Sequence, residues 1–306
     1  MTTYTIEPER ATLHGTFSRE YPPVLTIESG DTVHFRTLDA GWNIGPESLG
    51  KKFTPRHEER DRGHALCGPI AIRGAQPGMT LAVQINEVRP GPWGWTVGGG
   101  RNTAVNRSLN LIHREDQLHW ELDASAMTGR DQYGHTIALR PFMGVMGLPP
   151  AEPGIHSTIP PRFCGGNIDC KELVAGTTLY LPISVPDALF SVGDGHGVQG
   201  DGEVSGVALE CPMERVNLTF TLLDDMPLKT PRARIANAWL TLGFHQDLHE
   251  ASLIALEAML NLMSEQYNLP HPRALALASL VVDLRVTQIA NDVLGVHAVL
   301  PDGAIQ

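Results

Sequence analysis

Through the first three quarters of the chain, apolar residues recur in short runs, many with a two-residue period, and glycine, proline, asparagine or aspartate closes most of them. That alternation and punctuation mark β-strands separated by turns. The runs predict strands over 24–27, 32–37, 80–88, 177–183, 188–192, 204–210 and 216–222. In 80–88, Leu81, Val83, Ile85 and the apolar stem of Glu87 fall on one face of the strand. Most gaps between strands are too short for crossover helices, so the pattern favours an antiparallel sandwich or barrel, jelly-roll-like in outline. After about residue 230 glycine and proline thin out and alanine and leucine rise. Asp247 can cap a helix through Gln266, with Leu248, Ala251, Ala255, Ala258, Met259 and Leu262 on one stripe. Pro270 and Pro272 break it, a second helix is predicted over 273–289, and a strand over 295–300 closes the chain. The expected class is therefore mainly β with an α/β C-terminal portion: a β-rich body over 1–225 and two helices plus a strand over 226–306, packed on the body and without obvious chemistry of their own.

Composition narrows the function. The 306 residues are 42% hydrophobic and 19% charged, enough to bury a sizeable core and too apolar for wholesale disorder. The 31 glycines and 23 prolines exceed their usual combined share of about 12%. The net charge of −11 repels phosphate backbones and anionic membranes, so neither nucleic acid nor membrane is an expected partner. The four cysteines form no C-x-x-C pair and read as reduced thiols. Acidic residues stand where a signal peptide would be basic, and no apolar run approaches a membrane span. A soluble, cytoplasmic protein is the expectation.

The densest polar constellation runs from Ser191 to Val204, where glycines alternate with Asp194, His196, Gln199, Asp201 and Glu203. A predicted strand enters it and another leaves it, as in the turn of a hairpin. In extended backbone Asp194 and His196 share a side, as do Asp201 and Glu203, and the turn would bring the pairs together. Carboxylates and an imidazole in one place suit a divalent metal. The plainer reading is a solvated hairpin tip, but the regular glycines suggest a backbone that must approach a ligand. Residues 195–200 also fit G-x-G-x-x-G; an alternating strand follows where a dinucleotide site needs a helix, which rejects nucleotide binding. A second segment, 163–173, places Asn167, Asp169, Cys170 and Lys171 together. Cys170 beside Lys171 could be a nucleophile, although a buried inert thiol is the commoner case. His64 and Asp39 are single candidates, the charged run 56–62 reads as a solvated loop, and the apolar, glycine-spaced 140–147 suits either a pocket wall or ordinary core.

The segment from Phe190 to Glu210 resembles the signature of the acetamidase/formamidase family, and Gly165 to Leu173, Arg140 to Gly147 and His64 to Ile70 resemble its other blocks in the same order. Shorter matches occur at 74–78, 231–232 and 295–301, so the resemblance spans nearly the whole chain. Ser205 and Cys170 depart from the residues usual in the family, which argues against a required thiol at either place. Arg140 and the residue after His196 also vary, leaving the preferred amide open. The resemblance implies hydrolysis of short-chain amides, a mostly β fold, a divalent metal (zinc, with calcium the alternative) and a homo-oligomer. On that basis Asp39, His64, Asp194 and His196 are the expected metal ligands, and Glu203 or Asp169 the general base. Lys171 is an expected proton donor, Asn167 and Gln199 would orient the amide, and Phe142 and Met143 would limit the acyl group. The competing readings are a non-catalytic β-sandwich module binding calcium or a small molecule, and a metal-free amidase built on Cys170, Lys171 and a carboxylate.

Overall fold

The computed structural model describes residues 1–46 and 50–306. Among these residues the strands form a nine-stranded sheet, a six-stranded sheet, a four-stranded sheet and a short two-stranded ribbon. The nine-stranded sheet runs Thr3–Ile6, Thr32–Thr37, Met213–Leu223, Thr80–Pro90, Thr178–Pro182, Arg232–Ile235, Ala238–His245, Leu294–Pro301 and Asp283–Gln288. It is antiparallel except where Thr3–Ile6 pairs with Thr32–Thr37. Strands from both the predicted body and the predicted C-terminal portion therefore share one sheet.

The six-stranded sheet carries the site. Along it lie Gly165–Asn167, Phe142–Gly147, Phe190–His196, Leu66–Ile72 and Leu13–His14, with Leu25–Ile27 joining Leu66–Ile72 in parallel. Phe190–His196 and Phe142–Gly147 are buried at every position, so each reads as a continuous rather than alternating run. The two large sheets face each other across one core, where the rings of Phe190 and Phe220 meet edge to face at 5.0 Å.

A short helix, Ala104–Ser108, precedes the C-terminal pair. The first helix of that pair is Leu248–Tyr267, capped by Asp247, whose carboxylate accepts from the backbone N–H groups of His249 and Glu250. Ala251, Ala255, Met259 and Leu262 pack on Val296, Ala298 and Leu300. The helix approaches the sheet closely at Gly243, where a Cβ would lie 2.1 Å from the Ala251 carbonyl oxygen.

Three expectations are corrected. The second helix, His271–Val281, ends eight residues early, because Asp283–Gln288 pairs as an edge strand with Leu294–Pro301. The predicted strand 204–210 is a succession of turns, since Gly202, Glu203 and Gly206 all take positive φ. The charged run 56–62 is not simply solvated: Asp61 is buried against Arg10, and Arg56 stacks over Trp42 at 4.6 Å.

Candidate functional site

Three neighbouring strands of the six-stranded sheet bring their chemistry to one end. Phe190–His196 finishes with Asp194 and His196, Gly165–Asn167 finishes with Asn167 and is followed by Asp169, and Gly144 lies between them on Phe142–Gly147. Asp194 and Asp169 both take positive φ, near +60° and +51°. Non-glycine residues seldom hold that conformation without surrounding structure that enforces it. Gly144 is the floor: a Cβ there would lie 2.6 Å from Asp194 Oδ2 and 2.8 Å from both Asp169 Oδ1 and His196 Cε1. The glycines of 193–197, expected to admit a ligand, instead admit neighbouring segments of the chain. A Cβ on Gly193 would strike the Ala65 carbonyl at 2.2 Å, and one on Gly195 the Cys211 carbonyl at 2.7 Å.

After His196 the chain pairs loosely with itself, Gly197 and Cys211 N–H groups donating to the carbonyls of Leu209 and Gly195. This return delivers Glu210, which the sequence reading missed because it placed the residue in a regular strand. The intervening turns deliver Glu203, held by strapping of Gly202 to Thr287 and of Ile289 to Gly202. The same strap brings Ala290 and Asn291 to the site, so the C-terminal portion does contribute.

His196 Nε2 lies 3.4 Å from Asp194 Oδ1 and 3.6 Å from Glu210 Oε2. Asp169, His196 and Glu203 form one group of three able to hold a metal ion; Asp194, His196 and Glu210 form a second. All five are buried, and Asp169 Oδ1, His196 Nε2, Glu203 Oε2 and Glu210 Oε2 have no hydrogen-bond partner. Buried polar atoms rarely stay unpaired, so four in one place point to a missing partner. Around zinc, with bonds of about 2.0–2.2 Å, neighbouring ligand atoms stand roughly as far apart as these do. The donor set fits a divalent cation.

The electrostatics agree, because four carboxyl groups surround one imidazole. Burial, reinforced by Glu203, raises the Asp169 carboxyl well above its ordinary range. Burial likewise raises Glu210, and pushes Glu203 up to about 7 against the opposing influence of His196. Burial also opposes the Asp194 anion, but His64 and His196 outweigh it and hold that carboxyl low. For His196 burial disfavours the cation, yet Glu210 and Asp194 drive its pKa well upward.

A cavity of about 330 Å³ opens over the cluster, lined among others by His64, Trp95, Asn167, Asp194, Glu203 and Glu210. His64 lines this cavity, its Nδ1 2.9 Å from Thr158 Oγ1. Asp39 stands outside both groups of three: it accepts from Asn43 N, Asn43 Nδ2 and Trp95 Nε1 at 2.6–2.8 Å and so braces Trp95. Asn167 Nδ2 donates to the Ile159 carbonyl, leaving Oδ1 without a partner. Gln199 is not among the lining residues; its amide joins His196 Nδ1 to the Asp169 carbonyl. Lys171 pairs with Asp201 at 3.0 Å, away from the cavity lining. Phe142 packs edge-on against the His196 ring at 5.0 Å and Met143 belongs to the core, so neither walls the cavity. Cys170 is buried and its thiol pushed up to about 12, so it supplies no thiolate.

The sequence profile of the acetamidase/formamidase family matches residues 2–157 and 151–243. The chain belongs to that family. The acetamidase of Yersinia enterocolitica has a solved structure 27% identical to the chain, with a TM-score of 0.85 over 99% of this chain and 93% of that one. An acetamidase structure from Bacillus halodurans, 25% identical, gives a TM-score of 0.84 over 97% of each chain. Among curated relatives, a formamidase of Methylophilus methylotrophus is 25% identical over 244 residues, 63% of this chain and 60% of that one. The chain spans about 60% of the length of the curated relatives it matches. No helix among the described residues is long and apolar enough to cross a membrane.

Proposed function

We propose that this family member hydrolyses the C–N bond of small linear amides, releasing ammonia and a carboxylate, with a divalent cation at the buried acid–imidazole cluster. The observation that carries the reading is the convergence of four unpartnered buried ligand atoms under an open cavity. Asp194, His196 and Glu210 would hold the cation, with His64 beside them. When bound, it would polarise the amide carbonyl and acidify water. An imidazole shared by both groups of three suits zinc better than calcium, which prefers six to eight oxygens.

The chain's own residues supply the rest. Glu203, near 7, is poised to take a proton from the attacking water and return it to the departing nitrogen. Burial and Glu203 raise the Asp169 carboxyl well above its ordinary range, and in its protonated form it can donate a hydrogen bond to that carboxylate. Asn167 Oδ1 is free to accept from the substrate NH₂ and thereby orient the amide. Water oxygen adds to the carbonyl carbon, the C–N bond breaks, and nitrogen leaves as ammonia. The names of the relatives support this reaction class.

The test is ammonia release from formamide, acetamide and propionamide, with and without chelator, alongside metal analysis of the purified protein. Metal-dependent ammonia release is expected. Absence of ammonia from all three amides overturns the reading; ammonia release from metal-free protein overturns the cation's part in it.

A further inference from the structure

The cavity is larger than formamide or acetamide needs. At about 330 Å³ it has room for roughly ten waters, and the block expected to limit the acyl group lies beneath it in the core. Besides the acids, the lining includes Ile159 and Val207, which supply apolar surface, and Arg101 and Thr103, which supply donors. Arg101 is the sole lysine or arginine among the lining residues.

Arg101 is held in place by its backbone. Gly99 and Gly100 take positive φ, and a Cβ on Gly99 would lie 1.8 Å from the Arg114 carbonyl, so the chain turns tightly here. The Arg101 N–H donates to the Gly99 carbonyl at 2.8 Å, and its own carbonyl accepts from Thr103 N and from the buried Asn106 Nδ2 at 2.9 and 3.0 Å. The guanidinium itself makes no hydrogen bond or ion pair among the described residues, although it offers five donors. Thr103 Oγ1 accepts from Asn106 N, which leaves its hydroxyl proton free to donate. A fixed backbone carrying an uncommitted planar fork beside a free hydroxyl is suited to a carboxylate.

We propose that the preferred substrate is an amide whose acyl chain ends in a carboxylate, the monoamide of a short dicarboxylic acid, with Arg101 as the residue that binds the distal carboxylate. The inference rests on the amide-hydrolase reading and adds the substrate class. Ile159 and Val207 flank the methylenes, and the amide end lies over Glu203 and Asn167. The chain's net negative charge gives the device a purpose, since an anionic substrate needs a local cation to enter.

The experiment compares succinamate with butyramide, which lacks the terminal charge, in the metal-loaded protein and in Arg101→Ala and Arg101→Lys. The wild-type kcat/KM ratio of succinamate to butyramide is expected to exceed tenfold. It falls at least tenfold in Arg101→Ala, chiefly through KM, and recovers in part in Arg101→Lys. Calorimetric binding of succinate against butyrate reads the same site without turnover, and the preference for succinate is expected to vanish in Arg101→Ala. Ammonia release with a ratio near one, or an equal loss on both amides in Arg101→Ala, overturns the inference, the latter because Arg101 then does not read the terminal charge. Arg101-dependent succinate binding without ammonia from any amide upholds the carboxylate site and overturns the hydrolase reading. Absence of both overturns both.

Discussion

The Gln199 amide bridges His196 and the main chain of Asp169, with Oε1 3.0 Å from His196 Nδ1 and Nε2 2.7 Å from the Asp169 carbonyl oxygen. A carbonyl can only accept, so the second bond fixes the direction of the amide, and Nδ1 must donate to Oε1. His196 Nε2 is thereby left to face the acids as a ligand atom. Gln199→Leu keeps the volume and removes both bonds. Metal affinity, measured by competition with a chromophoric chelator, is expected to fall about 10–100-fold. Unchanged affinity would show that packing against Phe142 alone orients the ring.

Gly144 lies under three site residues, and no side chain fits there. Gly144→Ala is expected to lower kcat/KM for amides by about 100-fold, because an ångström-scale displacement of Asp194 and Asp169 spoils the alignment. Its thermal midpoint should move by only a few degrees, since the change is a single methyl at one end of the sheet. Full activity in this variant would mean that the three side chains can retreat together.

Buried Asp61 accepts from Arg10 Nη1 at 2.7 Å and from His57 N at 2.8 Å. Asp61→Asn leaves Arg10 without its anion and is expected to cost about 2–3 kcal/mol in chemical denaturation, discounted because Arg10 is partly exposed. A loss below about 0.5 kcal/mol, ordinary for a surface position, would return the 56–62 run to a solvated loop.

His14 donates from Nδ1 to the Thr16 carbonyl and accepts at Nε2 from Ser191, and burial lowers its pKa to about 4. The folded pKa lies below the unfolded value of about 6.5, so the unfolded state binds the proton first. Stability from this group is complete above pH 6.5 and is lost as pH falls from 6.5 towards 4. At pH 4.5 the wild type should have lost about 2–3 kcal/mol through His14. His14→Asn lacks that titration, so its stability deficit at pH 7.5 should shrink at pH 4.5. An equal deficit at both values would show that His14 is not held neutral.

The local pattern of the chain was enough for the β-rich class and the Asp247-capped helix, and it singled out Asp194, His196, Glu203 and Asp169, which the fold brings into one buried cluster. Strand alternation, turn formers and caps depend on neighbours a few residues apart, and those neighbours are written consecutively. The edge strand Asp283–Gln288 was hidden because its partner, Leu294–Pro301, outweighs a helical-looking composition.

What only tertiary structure decided is which of the candidates meet. Glu210, Asn291 and Gly144 carry no local signal of function: Glu210 arrives by a loose return of the chain, Asn291 by the strap to Gly202, and Gly144 by sheet register. Asp39 and Lys171 carried such a signal, and the fold gave them Trp95 and Asp201 as partners instead. The reason is physical. Residue type fixes what a side chain can bind, but the identity of its neighbours follows from which strands pair and how closely their backbones approach.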